Sequence, residues 1–374
     1  MKYFGKFIRG KMFEYLFGIF SVLSIFYVSD RMGKMLKSVF AYDFTLEIFL
    51  VLAVLLGYMF LYLKCGKEKK VTRNFYEICS IIVCFLLYLV LALWVYDIAD
   101  VLFRIPEDKW YIIPMISSMI LTCYGFVHAK KIYLKEYKLS IEHCTEKETI
   151  VLLSDIHVGT FVNLKQLEKM VSMVNRIHAD KIIIAGDMFD VEAFEYCDKA
   201  KIAEVLRKLR PKGKIYAVLG NHDPGSCSAV MQNFYQKAEI DLLIDEVETA
   251  DSCIIIGRDD VTTNPDRKSL KDIISGVEKE EFDKKKLKIV IDHNPLGIKE
   301  AVENHMDLVL CGHTHKGQFF PANIFTRLAY GKQGYYGYFK ENDTQSIVSS
   351  GVGFFQMPMR IGSNSEIVIL NINK

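Results

Sequence analysis

The segment Val309-Leu-Cys-Gly-His313-Thr-His315-Lys-Gly-Gln318 lies near the C-terminal end of a chain of 374 residues. Two histidines stand one residue apart, after an apolar run typical of a β-strand and between two glycines. Side chains at i and i+2 of a strand point to the same side, and a glycine-containing turn also lets two imidazole rings converge. The pair indicates a metal site, although a lone His-x-His motif is weak support until other ligands accompany it.

Four upstream segments supply further residues of the metal-ligating type. They are Asp155-Ile-His157, Gly186-Asp187, Gly220-Asn221-His222-Asp223 and Asp292-His293. Each follows a short apolar run predicted as a β-strand, over 149–153, 181–185, 214–219 and 287–291, and a strand over 307–310 precedes the histidine pair. Helical patterns alternate with these runs, so the chain from about residue 138 is predicted to be an α/β domain. Strand ends that face one edge share a crevice, so the five turns are predicted to meet.

The candidate ligands are carboxylates, an amide oxygen and imidazoles, supplied by Asp155, Asp187, Asn221, His157, His293, His313 and His315. This set of oxygen and nitrogen atoms suits five- or six-coordinate Mn²⁺, Fe or Zn²⁺ better than a structural zinc. The set is too large for one ion and fits two ions that share a carboxylate. Two ions roughly 3.5–4 Å apart activate a bridging water and stabilise charge on phosphoryl oxygens during in-line displacement at phosphorus.

His222 is left over from this set and is the candidate general acid. It follows the ligand Asn221, so its ring can reach the leaving-group side and donate a proton to the departing oxygen. Asp223 is the candidate that holds the ring of His222 and raises its basicity. The other histidines do not follow predicted strands and are given no catalytic role: His128, His143, His178 and His305.

Taken in order, these motifs resemble those of the calcineurin-like metallophosphoesterase family, over roughly residues 148–374. The resemblance implies a four-layer α/β/β/α sandwich with a two-metal site at one edge. It implies that the first ion is held by Asp155, His157, Asp187 and His315. Asp187 then bridges to a second ion that is held by Asn221, His293 and His313, with His222 as the acid. Two divalent ions are expected, Mn²⁺ first, with Fe, Zn²⁺ and Ni²⁺ as alternatives.

Within this family the chain is most similar to the bacterial membrane-anchored branch. The similarity rests on Gly257-Arg-Asp-Asp260, on the segment 312–318 and on the tail 350–362. Lys316 departs from the pattern, because glycine is usual there, and it would narrow access or add a charge for phosphate. The resemblance implies hydrolysis of a phosphodiester or pyrophosphate-type bond, in a lipid-linked substrate like that of a UDP-2,3-diacylglucosamine hydrolase.

Long apolar runs fill the first part of the chain. Those over 13–29, 45–63, 75–96 and 111–129 approach the roughly 20 residues that a bilayer crossing needs. We predict a multi-pass membrane region over 1–137, with about four helices, and a phosphoesterase domain over 138–374. Buried helices of a soluble domain are the alternative, which runs this long and this free of charge disfavour.

Lysine and arginine are concentrated in segments that share one side of the membrane if all four runs cross it. These segments are the N-terminus, the connection after the second run and the stretch after the fourth run, with Lys130, Lys131, Lys135 and Lys138. The positive-inside rule then predicts a cell-membrane protein whose phosphoesterase domain is cytoplasmic. An odd number of crossings would place that domain outside.

Two other classes of function are weaker predictions. The net charge is +2, from 47 Lys and Arg against 45 Asp and Glu, and no basic stripe is present, which disfavours a nuclease. A non-enzymatic membrane receptor or scaffold for a phosphorylated ligand would be favoured by a missing ligand or acid. The expected partners are the bilayer and a phosphoester substrate. No nucleic acid is expected, and the sequence predicts no oligomeric state.

Features near the C-terminus leave alternatives open. The aromatic segments 335–339 and 354–359 are either a groove for an apolar substrate or ordinary strand packing, which β-propensity favours. Arg360 either clamps a phosphate through its planar fork or pairs with Glu366. The nine cysteines have irregular spacing and no Cys-x-x-Cys motif, which indicates neither a disulfide framework nor a thiolate zinc site.

Overall fold

The computed structural model describes residues 2–65, 70–105, 108–141, 144, 147–190, 193–224, 229–250, 252–278, 282 and 286–373, with their side chains except those of 2–17, 60–65, 70–74 and 108–109. His143 lies outside the described residues. The chain divides into two compact units, Met1–Tyr124 and Gly125–Lys374.

Four long helices account for the first part of the chain: α1 (Lys2–Phe40), α2 (Thr45–Cys65), α3 (Lys70–Phe103) and α4 (Ile112–Ala129). Each predicted apolar run lies largely or wholly within one of them. The helix α1 continues past residue 29 through a charged segment, because Arg31 pairs with Asp97 of α3 at 2.8 Å and Asp30 pairs with Lys34 at 2.9 Å. Apolar side chains of α1 and α3, among them Met32 and Leu93, form a small core.

Two helical stretches are long and apolar enough to cross a membrane, among the residues whose side chains are described. They are Phe75–Phe103 and Ile112–Ala129. A further apolar stretch, Thr45–Met59, is shorter. Parts of the first two predicted crossings, 13–17 and 60–63, lie outside the described side chains. The four-helix membrane region therefore stays a prediction.

Two six-stranded sheets form the second unit. The first has, in spatial order, β1 (Ile132–Ser140), β12 (Ser365–Asn373), β2 (Glu148–Leu153), β3 (Lys181–Ala185), β4 (Ile215–Val218) and β5 (Asp241–Leu242). The second has β10 (Gly337–Glu341), β11 (Thr344–Val348), β9 (Leu308–Cys311), β8 (Leu287–Ile291), β7 (Cys253–Gly257) and β6 (Glu246–Thr249). The strands β2, β3 and β4 are parallel, and so are β7, β8 and β9. Parallel strands leave their carboxyl ends at the same edge of each sheet.

Helices cover the outer face of each sheet. The first sheet carries α5 (Leu164–Asn175), α6 (Ala193–Tyr196), α7 (Lys199–Leu206) and α8 (Ala229–Lys237). The second carries α9 (Leu270–Ser275) and α10 (Ile298–Glu303), and α11 (Ala322–Tyr335) follows β9.

Alternate side chains of the strands serve two different cores, because successive residues of a strand point to opposite faces. In β3, Ile182 and Ile184 pack against the helices, whereas Ile183 packs between the sheets. In β8, Ile289 packs between the sheets and Val290 faces α9 and α10. The predicted mixed α/β sandwich with two sheets is confirmed.

The first strand of this unit starts before the predicted boundary at residues 137 and 138. The strand β1 pairs in parallel with β12 along its whole length, from Ile132 opposite Ser365 to Ser140 opposite Asn373. The boundary therefore falls inside β1. The partner strand lies at the far end of the chain, so no local pattern marks this pairing.

Candidate metal centre

Five strand ends deliver the candidate ligands. Asp155 and His157 follow β2, Asp187 follows β3, Asn221 follows β4, His293 follows β8, and His313 and His315 follow β9. Their side chains converge at one buried centre. Two groups offer ligand atoms that all lie within 4.8 Å of one another: Asp155, His157 and His315, and Asp155, Asp187 and His293. The five turns lie together in the structure, as predicted.

The first cluster of side chains joins Asp155, His157 and His315. The Nε2 atoms of His157 and His315 lie 3.1 Å apart, and His315 Nε2 lies 3.3 Å from Asp155 Oδ1. His157 Nε2 is also 3.7 Å from Asp187 Oδ2. All four side chains are buried, so these atoms face one another with little access to water.

The second cluster joins Asp187, Asn221, His293 and His313. His293 Nε2 lies 3.2 Å from Asp187 Oδ2 and 3.2 Å from Asn221 Oδ1. His313 Nδ1 lies 2.7 Å from the same Asn221 oxygen. The Nδ1–H of His293 donates to the carbonyl oxygen of Ala185 at 2.8 Å, so Nε2 is the ring nitrogen that faces Asp187 and Asn221. Asp187 Oδ2 is thus close to both clusters.

The backbone at the candidate ligands is held in an unusual conformation. Positive φ angles occur at Asp155 (49°), His157 (51°), Asp187 (53°), His313 (72°) and His315 (50°). Such angles disfavour residues with a Cβ atom, and they persist only where surrounding contacts impose them. Those contacts include the backbone bonds from Asp155 N to Gly186 O at 3.0 Å and from His157 N to Asp187 O at 3.1 Å. Strained positions of this kind cluster at functional sites.

Two glycines make room for the carboxylates. A methyl group at Gly220 would overlap the side chain of Asp187, and one at Gly312 would overlap that of Asp155. Both glycines sit in the turns that carry other candidate ligands. The close approach of these turns therefore depends on the missing side chains.

The charge state of the buried groups fits a cation. Burial lowers the pKa of His157 to about 3 and that of His313 to about 4, so both rings are neutral near neutral pH. Burial raises the pKa of Asp155 to about 6. Burial also opposes ionisation of Asp187, but the neighbouring His293 outweighs it and lowers the pKa of that carboxyl. The neutral rings of His157 and His313 and the ionised carboxylates of this dry centre are donors that divalent ions bind.

His222 borders the first cluster without joining it. Its ring centroid lies 5.4 Å from that of His157 and 4.5 Å from that of Phe355. Its backbone N–H donates to Asp187 Oδ1 at 2.8 Å, which ties the residue to the centre. Burial lowers the pKa of its ring.

Asp223 has a different role from the one expected for it. Its Oδ1 accepts hydrogen bonds from the backbone N–H groups of Met188 at 3.0 Å and Phe189 at 3.2 Å, and its Oδ2 accepts one from Gly220 at 3.0 Å. Both oxygens are used within the turns, so the expectation that Asp223 holds the ring of His222 was wrong. Burial raises the pKa of Asp223 to about 7.

Arg360 follows neither of its two expected roles. The side chain is fully buried and donates to the carbonyl oxygens of Ser350 at 2.6 Å and Gly353 at 2.5 Å. Glu366 instead accepts hydrogen bonds from Tyr336 Oη and from the backbone of Ser350, at 2.9 and 3.0 Å. Arg360 therefore holds the loop behind the centre in place. Burial lowers its pKa to about 10.

Some residues of the centre were missed from the sequence. Tyr330 of α11 places its hydroxyl 2.7 Å from His313 Nε2. Arg267 forms a two-pronged pair with Asp292, at 3.0 and 2.6 Å, next to His293. Neither contact has a local signal, because each partner comes from a distant turn or helix. Lys316 stands where glycine is usual in the family. Its ammonium group lies 4.5 Å from the ring centroid of Tyr336.

The comparison with family models agrees with this order of strand-end residues. Residues 148–317 match the model of the calcineurin-like phosphoesterase. By this match, residues 148–317 are a calcineurin-like phosphoesterase domain.

Curated relatives carry the same kind of domain. An uncharacterized metallophosphoesterase of Helicobacter pylori (strain J99) is 30% identical over 243 residues, which cover 64% of this chain and 63% of that protein. A Danio rerio protein named transmembrane protein with metallophosphoesterase domain is 29% identical, over 68% of this chain and 61% of that protein. An uncharacterized metallophosphoesterase of Aquifex aeolicus is 29% identical, over 69% of this chain and 98% of that protein. The chain thus spans less than two thirds of the Helicobacter and Danio proteins.

Proposed function

We propose that the protein is a membrane-anchored, metal-dependent phosphoester hydrolase. The observation that carries the proposal is the convergence of Asp155, Asp187 and the imidazoles of His157, His293 and His315 from four separate strand ends at one buried centre. A domain that needed these residues only for folding would have no reason to bury so many ionisable groups together. The family match over residues 148–317 supports the same reaction class.

The two clusters suggest how two divalent ions would be held. Asp155, His157 and His315 would bind the first ion, Asn221, His293 and His313 the second, and Asp187 both. Ions held there supply positive charge for the phosphoryl oxygens and lower the pKa of a water nucleophile. We propose Mn²⁺, with Fe, Zn²⁺ and Ni²⁺ as alternatives, because carboxylate, amide and imidazole donors suit all of them.

His222 is the proposed general acid. Its ring stands beside the first cluster yet belongs to neither group of potential ligands, so its nitrogens are available to a substrate. The backbone bond to Asp187 and the contact with Phe355 hold the ring at this position. In this role the ring donates a proton to the oxygen of the departing group.

The proposed substrate is a phosphodiester or pyrophosphate-type ester carried by a membrane lipid, like the nucleotide-activated lipid of a UDP-2,3-diacylglucosamine hydrolase. Two helical stretches suited to a bilayer support a location beside lipid, and the name of the Danio relative agrees with it. We propose four crossings, with the phosphoesterase domain in the cytoplasm. A reporter fused after the last residue should give a cytoplasmic signal, and an extracytoplasmic signal would overturn this orientation.

Hydrolysis is tested with purified full-length protein in detergent, stripped of metal. It should not hydrolyse bis-nitrophenyl phosphate until Mn²⁺ is added back. The variant Asp187→Asn should stay inactive with added metal, whereas Asp198→Asn, at the exposed cap of α7, should behave as the parent. Metal binding without hydrolysis, for any divalent ion and any of a set of nucleotide, lipid and phosphoprotein esters, would instead establish a receptor or scaffold.

A further inference from the structure

The helix α11 presents apolar side chains to the outside next to the candidate metal centre. Ile324, Phe325 and Leu328 are exposed to 47%, 67% and 78%. Leu328 follows Phe325 by three residues and Ile324 by four, so the three side chains lie on one face of the helix. Exposed apolar side chains that form a continuous patch mark an interaction surface more often than isolated ones do.

The opposite side of α11 is fixed to the centre. Tyr330 bonds His313. Beyond a break in the helix at Gly331, the carbonyl oxygen of Tyr335 accepts a hydrogen bond from Thr314 Oγ1 at 2.7 Å. Gly317 packs so closely against α11 that a methyl group on Gly317 would overlap the backbone of Asn323. The helix is therefore held by its inner side, and the apolar residues of the outer side are not needed for that attachment.

The start of α11 is linked to the end of α4. The backbone N–H of Phe320 donates to the carbonyl oxygen of Ile361 at 3.0 Å, and that of Arg360 donates to the carbonyl oxygen of Gly125 at 3.0 Å. Gly125 is the first residue of the phosphoesterase unit and lies in α4, one of the helices suited to cross a membrane. Within the phosphoesterase unit, residues 125–129 of α4 therefore lie on the side that carries the start of α11.

We propose that the outer face of α11, formed by Ile324, Phe325 and Leu328, lies in the headgroup region of the bilayer that α4 crosses. Interfacial helices bury an apolar face to this depth and place basic residues beside it. Arg327, on the same helical segment before the break at Gly331, is exposed and complements anionic headgroups. This contact rests on the proposed membrane anchorage and not on the proposed hydrolysis. It would bring the candidate metal centre to the lipid surface, where a lipid-linked phosphoester is found.

The test uses full-length protein in lipid nanodiscs that hold a single copy, which excludes contact with a second copy. The variant Phe325→Trp adds one indole to the native Trp94 and Trp110. The matched control is Val230→Trp, since Val230 is 54% exposed on α8. The emission that each variant adds to that of the parent is measured in discs with and without lipids brominated near the headgroup, and again with iodide in the aqueous phase.

Brominated lipids should quench about half of the emission added by Phe325→Trp, because an interfacial side chain lies within reach of the upper acyl chain. Brominated lipids should leave the emission added by Val230→Trp unchanged. Iodide should quench the emission added by Val230→Trp more strongly than that added by Phe325→Trp. Equal quenching of the two variants would overturn the proposal. If the indole of Phe325→Trp is protected from iodide only in discs that hold two copies, the proposal is overturned, and the apolar face is instead a contact between copies. Hydrolysis of bis-nitrophenyl phosphate by the same discs is recorded separately, so its failure would overturn the proposed function while leaving the quenching result in force.

Discussion

The hydroxyl of Tyr330 lies 2.7 Å from Nε2 of His313, while Nδ1 of the same ring lies 2.7 Å from Asn221 Oδ1. One nitrogen of the ring therefore faces the candidate metal centre and the other faces α11. A hydrogen bond to the outer nitrogen of a metal-binding histidine fixes the ring orientation and the tautomer.

Tyr330→Phe should weaken the second metal site without changing the fold. Loss of such an outer contact costs roughly 10–100-fold in metal affinity. Titration calorimetry with Mn²⁺ checks this, with circular dichroism as the measure of folding. The matched control is Tyr335→Phe, just beyond the break at Gly331, since the hydroxyl of Tyr335 donates to the carbonyl oxygen of Lys316 instead. Equal affinity in both variants would show that Tyr330 does not position His313.

Asp187 should be required for both ions, and each histidine of the opening motif for only one. Asp187 Oδ2 lies near His157 and near His293, whereas His315 contacts the first cluster and His313 the second. Metal content of the dialysed protein is measured by mass spectrometry. Asp187→Asn should lose both ions, and His313→Ala and His315→Ala should each lose one while remaining folded. Retention of the full metal content by Asp187→Asn would contradict the bridging role.

The convergence of the candidate ligands was predictable because each of them follows an apolar strand, and the ends of parallel strands meet. Asp223 shows where that reasoning stops. It is adjacent to His222 in the sequence, but the turn directs its carboxylate to the backbone of Met188 and Phe189. The burial of Arg360 likewise depends on carbonyl groups that only the folded loop brings together. Pairings between distant segments, such as that of β1 with β12, leave no local pattern to find.

His222→Ala should separate metal binding from turnover. The ring is not part of either cluster, so the metal content should stay at the parental level. Removal of a general acid lowers kcat by about 10²–10⁴-fold. The loss should be smallest for substrates with acidic leaving groups, which need no proton to depart. A series of aryl phosphodiesters with different leaving-group pKa values checks this, and an equal loss across the series would contradict the assignment of His222 as the acid.

Metal binding should release a proton at neutral pH. Burial disfavours the charged form of His293, but the Asp187 carboxylate at 3.2 Å outweighs it and raises the pKa of the ring well above 6.5. The metal-free ring is thus protonated at pH 7, and an ion can bind Nε2 only after that proton leaves. Metal affinity should therefore rise with pH through the neutral range. Because His157 and His313 have pKa values of about 3 and 4, they release no proton there.

Calorimetry in buffers of different ionisation heat counts the released protons. The observed binding heat at pH 7 should change with the buffer in the parent. This dependence should be smaller in His293→Gln, in which Asp155, with a pKa of about 6 in the parent, is the candidate ligand that still carries protons near neutral pH. The variant His305→Gln, in which a histidine outside the centre is changed, should keep the parental dependence. Binding heats that are equal in all buffers would mean that His293 is already neutral before the ion arrives, and that its interaction with Asp187 does not hold a proton.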